Sequence, residues 1–202
     1  MRASIFFFLS LIIFANATEA QYLKLGVKAG PNLTKVRNDY THMYDPGVNF
    51  QVGGFGVWKL PVKNNNIAIR SEIEVSKNFS IDNDSLNIRY DYWLASMPLY
   101  LSFSEGDSPY RLNLGVKLSK LLSGEVNYKE DKPAETFEYS PLMIAVSIGL
   151  DYTYNERWAI QFSYDFGKTD FFESRENDLL FANSLQVSVN YTLFKKSIPG
   201  SE

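Results

Sequence analysis

Glu72 and Glu74 stand two residues apart with Arg70 two residues before them, so on an extended chain all three side chains share one face. A carboxylate pair in that spacing could act as acid and base in sugar hydrolysis, but that chemistry needs an open cleft around the scissile bond. The alternative is a salt-bridge network closed by the arginine, and the rest of the chain favours it. His42, the only histidine, lies beside Tyr40, Tyr44 and Asp45. A single imidazole in such a polar stretch reads as an exposed loop residue rather than a metal ligand or a catalytic base. Cysteine is absent, which excludes thiol chemistry, disulfides and cysteine metal sites. There is no histidine pair, serine elbow or phosphate-cradling loop, and Gly26, Gly30, Gly53 and Gly56 lead into no strand-to-helix step. The sequence therefore implies no catalytic residue, no metal and no cofactor.

The elements that carry these charges are strands. From Ser184 to Phe194, Leu185, Val187, Val189, Tyr191 and Leu193 alternate with Ser184, Gln186, Ser188, Asn190 and Thr192, which gives one strand an apolar and a polar face. Trp158, Ile160, Phe162, Tyr164 and Phe166 likewise alternate with Arg157, Gln161 and Asp165. Ile144 to Tyr154 sets Tyr152 and Tyr154 against Asp151, and Tyr110 to Leu118 sets leucines and valine against Arg111 and Lys117. Toward the N-terminus, Ile67, Ile69, Ile73 and Val75 oppose Arg70, Glu72 and Glu74, while Leu23 to Ala29 opposes Lys24, Gly26 and Lys28.

Two segments are less regular. Val48, Phe50, Val52 and Trp58 oppose Asn49 and Gln51, but Phe55 and Val57 fall on the other parity, and Gly53, Gly54 and Gly56 suggest a bulge or a tightly curved wall. Leu86 to Phe103 begins with Ile88, Tyr90 and Tyr92 against Arg89 and Asp91, then becomes apolar on both faces around Trp93-Leu94-Ala95. Pro98 in that stretch calls for an unpaired or bulged position.

These segments number eight, and several reach the roughly nine to eleven residues that a tilted membrane strand requires. The links alternate as well: Pro31 to Pro46, Lys77 to Ser85, Ser119 to Pro141 and Lys168 to Ala182 are long, while those between are short. An all-β, eight-stranded, antiparallel, up-and-down transmembrane β-barrel with both ends in the periplasm has this arrangement of outer loops and inner turns. Open edges in hydrocarbon would strand backbone amides at several kcal/mol each, so the sheet must close. Eight strands then leave an interior filled by side chains.

Alternation alone leaves open a soluble, lipocalin-like barrel with a ligand cavity, or a narrow channel. The membrane reading rests on the aromatics, thirteen Tyr and fifteen Phe. Tyr92, Tyr152, Tyr154, Trp158, Tyr164, Phe166 and Tyr191 are expected in girdles at the lipid interfaces. Arg70, Glu72, Glu74, Arg89, Asp91, Arg111, Lys117, Asp151, Arg157 and Asp165 are then expected to form an internal, nearly fully paired charge network. With 20 Lys and Arg against 23 Asp and Glu, mixed along the chain, a nucleic-acid groove is excluded.

Met1-Arg2, the apolar run Ile5 to Phe14 and the small residues up to Ala20 have the build of an exported leader, too short to span as a helix. Residues 1–20 are expected to be a cleaved signal peptide, 21–194 the barrel, and 195–202 a short tail after the terminal aromatic Phe194. The long loops mix rings and charges, as in Asp39 to Tyr44, Glu125 to Lys132 and Thr169 to Glu176. Such loops suit contacts with lipopolysaccharide or with envelope and secretion proteins.

Leu25-Gly26-Val27-Lys28-Ala29-Gly30-Pro31-Asn32-Leu33 resembles the opening "GxKxGxN" strand of the small outer-membrane β-barrel proteins of Bacteroidetes, the PorT-like group. Gly53-Gly54-Phe55-Gly56, Glu72 to Ser76, Met97-Pro98-Leu99 and Ser163 to Gly167 are similar to that family in the same order, across essentially the whole mature chain. The resemblance implies an outer-membrane location, an eight-stranded barrel, no catalytic motif, and a link to secretion or envelope assembly. It implies outer-membrane lipid and lipopolysaccharide as surroundings.

Overall fold

The structure, a computed structural model, describes residues 22–38, 45–60, 66–81, 89–106, 108–127, 135–137, 142–169 and 180–197. Residues 1–20, expected to be a leader, His42 and its neighbours, and most of the aromatic and charged loop segments lie outside the described residues.

The elements are β1 (Tyr22–Asn38), β2 (Asp45–Lys59), β3 (Asn66–Ile81), β4 (Arg89–Ser104), β5 (Tyr110–Asn127), β6 (Glu135–Phe137), β7 (Leu142–Thr153), β8 (Trp158–Thr169) and β9 (Leu180–Ser197). Hydrogen-bonded order runs β4-β3-β2-β1-β9-β8-β7-β5-β6, and a further β4–β5 pairing joins the two ends. All pairings are antiparallel. Among the described residues the short β6 only extends one end of β5, opposite Gly124 to Val126. The remaining eight strands form a closed antiparallel ring.

Which face is outside follows from exposure. Val146, Phe162 and Val189 are 62%, 48% and 47% exposed, while Glu72 and Asp165 are 1% and 3%. This inverts the order of a water-soluble core and matches a barrel whose surroundings are hydrocarbon. The strands also run past the alternating segments into what the sequence suggests are loops and tail. β1 continues beyond Pro31 to Asn38, β5 to Asn127 and β9 to Ser197, whose partner is Tyr22. The strand thus persists past Phe194, where the sequence suggests that the barrel ends.

The irregularities fall elsewhere than expected. β2 pairs without interruption through Gly53, Gly54 and Gly56 on both sides. Its odd positions face inward throughout, so Phe55 and Val57 are interior residues and form a small apolar cluster with Ala68. Glycine is needed where the walls approach: a Cβ on Gly26 would sit 2.3 Å from the Tyr191 carbonyl oxygen and 2.5 Å from the Phe55 ring. Register shifts lie instead at Leu25/Gly26, Pro46/Phe50 and Trp93/Leu94. Pro98 is the exception: it faces the lumen in register with Lys117 of β5, but the β3–β4 ladder has no partner for it, which is the unpaired position that a proline calls for.

Candidate functional site

The interior is the site. Strand pleating aims every second residue inward, and at mid-barrel the inward positions of β1, β3, β5, β7 and β8 carry ionic groups. Lys28 Nζ lies 2.5 Å from Glu72 Oε2 and 2.9 Å from Glu74 Oε2. Arg70 pairs through Nε with Glu72, and its Nη1 is 2.8 Å from Asp151 Oδ2. Lys117 closes the other side, pairing with Glu74 and lying 3.0 Å from Asp165 Oδ2. Three cations and four carboxylates are thereby joined in one continuous cluster.

Neutral side chains complete it. Asn113 donates to Asp151 at 2.9 Å and accepts from the Ser102 hydroxyl at 2.5 Å. Gln161 donates to Glu72 at 3.1 Å, Gln186 to Asp165 at 2.9 Å, and Ser147 to the other oxygen of Asp165 at 2.5 Å. Tyr100 meets the Ser147 hydroxyl at 3.0 Å. Burying so many charges costs several kcal/mol per ion unless each is paired and hydrogen-bonded, and this degree of satisfaction is what that cost demands. The Arg70 guanidinium also lies 4.8 Å from the centre of the Phe55 ring, so the hub rests on the apolar cluster.

Beyond the hub the lumen opens at each end. A cavity of about 60 Å³ on the outer side is bordered by Asn32, Thr34, Asn78, Tyr92 and Gln186, among others. A second, of about 50 Å³ at the end carrying the short turns, is bordered by Lys24, Arg111, Arg157 and Asn190, among others. Lys117 and Asp165 border the first, Arg70 and Asp151 the second, and the hub stands between them.

Of the charged residues that the alternation points to, Arg70, Glu72, Glu74, Lys117, Asp151 and Asp165 come together in the hub, while Arg111 is half-buried at the turn end. Arg89, Asp91 and Arg157 do not join them. Even-numbered residues of β4 face inward from Tyr92 to Ser102, which turns Arg89 and Asp91 outward and Tyr92 into the lumen. Arg89 Nε lies 2.8 Å from Asp91 Oδ2, and these side chains are 48% and 18% exposed. Arg157 lies in the β7–β8 turn and donates to the Tyr191 hydroxyl at 3.1 Å. Tyr92 is consequently not an interface ring.

The other rings expected at the lipid interfaces are on the outside of the barrel. Trp158 packs on Tyr191 at 4.6 Å, Tyr110 on Tyr152 at 5.3 Å, and Tyr154 is exposed, all near the short turns. Tyr164 and Phe166 pack edge to face at 4.4 Å toward the other end of β8. Lys28, the hub's central cation, was legible only as one polar position opposite Val27 and Ala29. Gln161, Gln186 and Ser147 carried the same parity signal, whereas Tyr100 sits in the stretch that is apolar on both faces. Among the described residues no group of three or more His, Cys, Asp or Glu is arranged to hold a metal ion.

The model of the "outer membrane protein beta-barrel domain" family matches residues 6–192. No curated protein matches the sequence. Among solved structures, Neisserial surface protein A (NspA) superposes with a TM-score of 0.56 at 12% identity, covering 84% of this chain and 97% of that one. Ail, the attachment invasion locus protein of Yersinia pestis, solved with the heparin analogue sucrose octasulfate, superposes at 0.54 with 14% identity, covering 85% and 99%. At these identities the likeness is one of fold.

Proposed function

Because this chain belongs to the outer-membrane β-barrel domain family, we propose that it is a non-enzymatic barrel of the bacterial outer membrane that serves as a structural or interaction protein at the cell surface. The observation that carries this is the inverted wall: apolar side chains outside, a paired ionic hub within. Such a wall is stable in hydrocarbon and gives a rigid ring that fixes the strand ends. The hub also argues for a scaffold rather than a pore, because its contacts span from β1 through β3 and β5 to β7 and β8.

Cations near the outer ends of the strands support contact with lipopolysaccharide. Lys77 Nζ lies 5.9 Å from the Trp93 ring centre and the Arg89 guanidinium 4.7 Å from that of Phe79, on the outward face where anionic headgroups would lie. Within the family we read the chain as PorT-like, on the order of its five motifs, with residues 1–20 removed on export and the loops available to secretion or envelope proteins.

Cell fractionation tests the reading. The protein is expected in the detergent-extracted outer membrane, beginning at Gln21 by intact mass, with gel mobility that changes on heating. Recovery as a soluble periplasmic monomer would replace it with the ligand-binding barrel. In planar bilayers no unitary conductance is expected; steps that change on Glu74→Gln would make it a channel.

A further inference from the structure

The cavity at the short-turn end is not used by the reading above. Its wall carries four cationic side chains, Lys24, Arg70, Arg111 and Arg157, against two acids, Asp151 and Glu156. Arg70 and Asp151 satisfy each other within the hub, and Glu156 lies 3.4 Å from Lys195 Nζ at the rim. Lys24 is close enough to Arg111 and Lys195, and to Glu156 and Asp151, for charges of both signs to act on its own. Among the described residues Arg111 has no carboxylate within ion-pair distance, although it is half-buried. Cations outnumber acids on this wall, and such an excess in a confined space with low-dielectric walls makes a local positive field.

A second observation is independent of charge. Asn190 borders the same cavity and is 2% exposed, yet neither its amide nitrogen nor its amide oxygen has a hydrogen-bond partner in the protein. A buried amide of this kind is costly unless something in the cavity meets it. About 50 Å³ is room for about four water-sized bodies, the footprint of a tetrahedral oxyanion.

We propose that this chamber is an anion site that takes a phosphate group, held between the Arg111 guanidinium and the Lys24 ammonium, with the Asn190 amide nitrogen donating a further hydrogen bond. Arg157, whose guanidinium also donates to Tyr191, stands at the entrance. The site is separated from the outer cavity by the hub, so the anion enters and leaves only at the short-turn end. The proposal rests on the membrane reading for one point, that this end faces the periplasm.

The test is calorimetric titration of inorganic phosphate into the full mature barrel, refolded in an uncharged, phosphate-free maltoside detergent at low salt. Saturable one-site binding is expected. Arg111→Gln and Lys24→Gln should each weaken it about 10- to 100-fold, the loss of one charged hydrogen bond. Asn190→Leu fills the chamber without altering charge and should abolish binding, while Lys77→Gln on the outer wall should leave it unchanged. Absence of saturable heat, or wild-type affinity in Arg111→Gln, would overturn the site. If Arg111→Gln fails to show heat-modifiable mobility, Lys24→Gln, nearer the rim, supplies the same comparison.

Repeating the titration in phosphatidylglycerol nanodiscs distinguishes the sources. Weakened phosphate binding there identifies a lipid headgroup as occupant; unchanged binding identifies free phosphate. Should the protein prove soluble and periplasmic, the titration in buffer still decides the chamber by itself.

Discussion

Two ion-pair systems in this barrel are built from the same chemistry and placed in opposite surroundings. At the centre, Lys28, Arg70 and Lys117 meet Glu72, Glu74, Asp151 and Asp165 with every side chain almost fully buried. At the outer end of β4, Arg89 and Asp91 make two contacts of 2.8 Å, geometry as good as any in the hub, but on the outward face and half in solvent. Geometry therefore does not rank them. In the hub, losing one partner leaves a charge that water cannot reach; at the rim, water and salt ions replace the partner at once.

The contrast is sharpest with Glu72→Ala. This variant removes the carboxylate that Lys28, Arg70 and Gln161 share; Lys28 keeps Glu74 and Arg70 keeps Asp151, but the loss of three buried charged contacts at once should cost roughly 3–5 kcal/mol in urea unfolding of the refolded barrel in lipid vesicles. A loss below about 1 kcal/mol would mean that the lumen is hydrated enough to screen its charges, and the distinction between the two systems would collapse. Asp165→Asn should cost less, roughly 1–3 kcal/mol, since Lys117 keeps Glu74 and the new amide retains one acceptor for Ser147 or Gln186. Arg89→Gln should cost no more than about 1 kcal/mol, and that difference should vanish in 1 M salt, where exposed charges are screened within about 3 Å. The Glu72→Ala deficit should persist under the same salt.

β3 and β4 show what sequence could and could not disclose. In β3 the inward set Arg70, Glu72 and Glu74 is written in plain alternation with isoleucines, and the structure seats all three in the hub. In β4 both faces are apolar, because Tyr92, Leu94, Pro98 and Tyr100 fill lumen that a polar residue would otherwise occupy. Hydrophobicity thus loses its meaning as a pointer to lipid. Parity then rests on the charged pair Arg89 and Asp91, which sit near the strand end where outward-facing charge is cheap. Phe55 and Val57 misled in the same way: an apolar residue inside a narrow barrel looks like a break in pattern, although the strand is unbroken. Strand number, closure and most of the hub were legible because membrane strands must alternate. The chamber around Asn190 was not, since Lys24, Arg111, Asn190 and Arg157 come from β1, β5, β9 and a turn, and only three-dimensional closure brings them together.

The seam between β1 and β9 carries a consequence for biogenesis. Their ladder extends from Tyr22 opposite Ser197 to Asn38 opposite Leu180, so the first strand of the barrel finds its second neighbour only in the last strand of the barrel. Until that neighbour arrives, β1 offers hydrocarbon a bare row of amides. Piecemeal threading, as helical proteins permit, is thereby closed to this polypeptide. The chain must exist through β9 first, and crossing into the bilayer coincides with locking the cylinder.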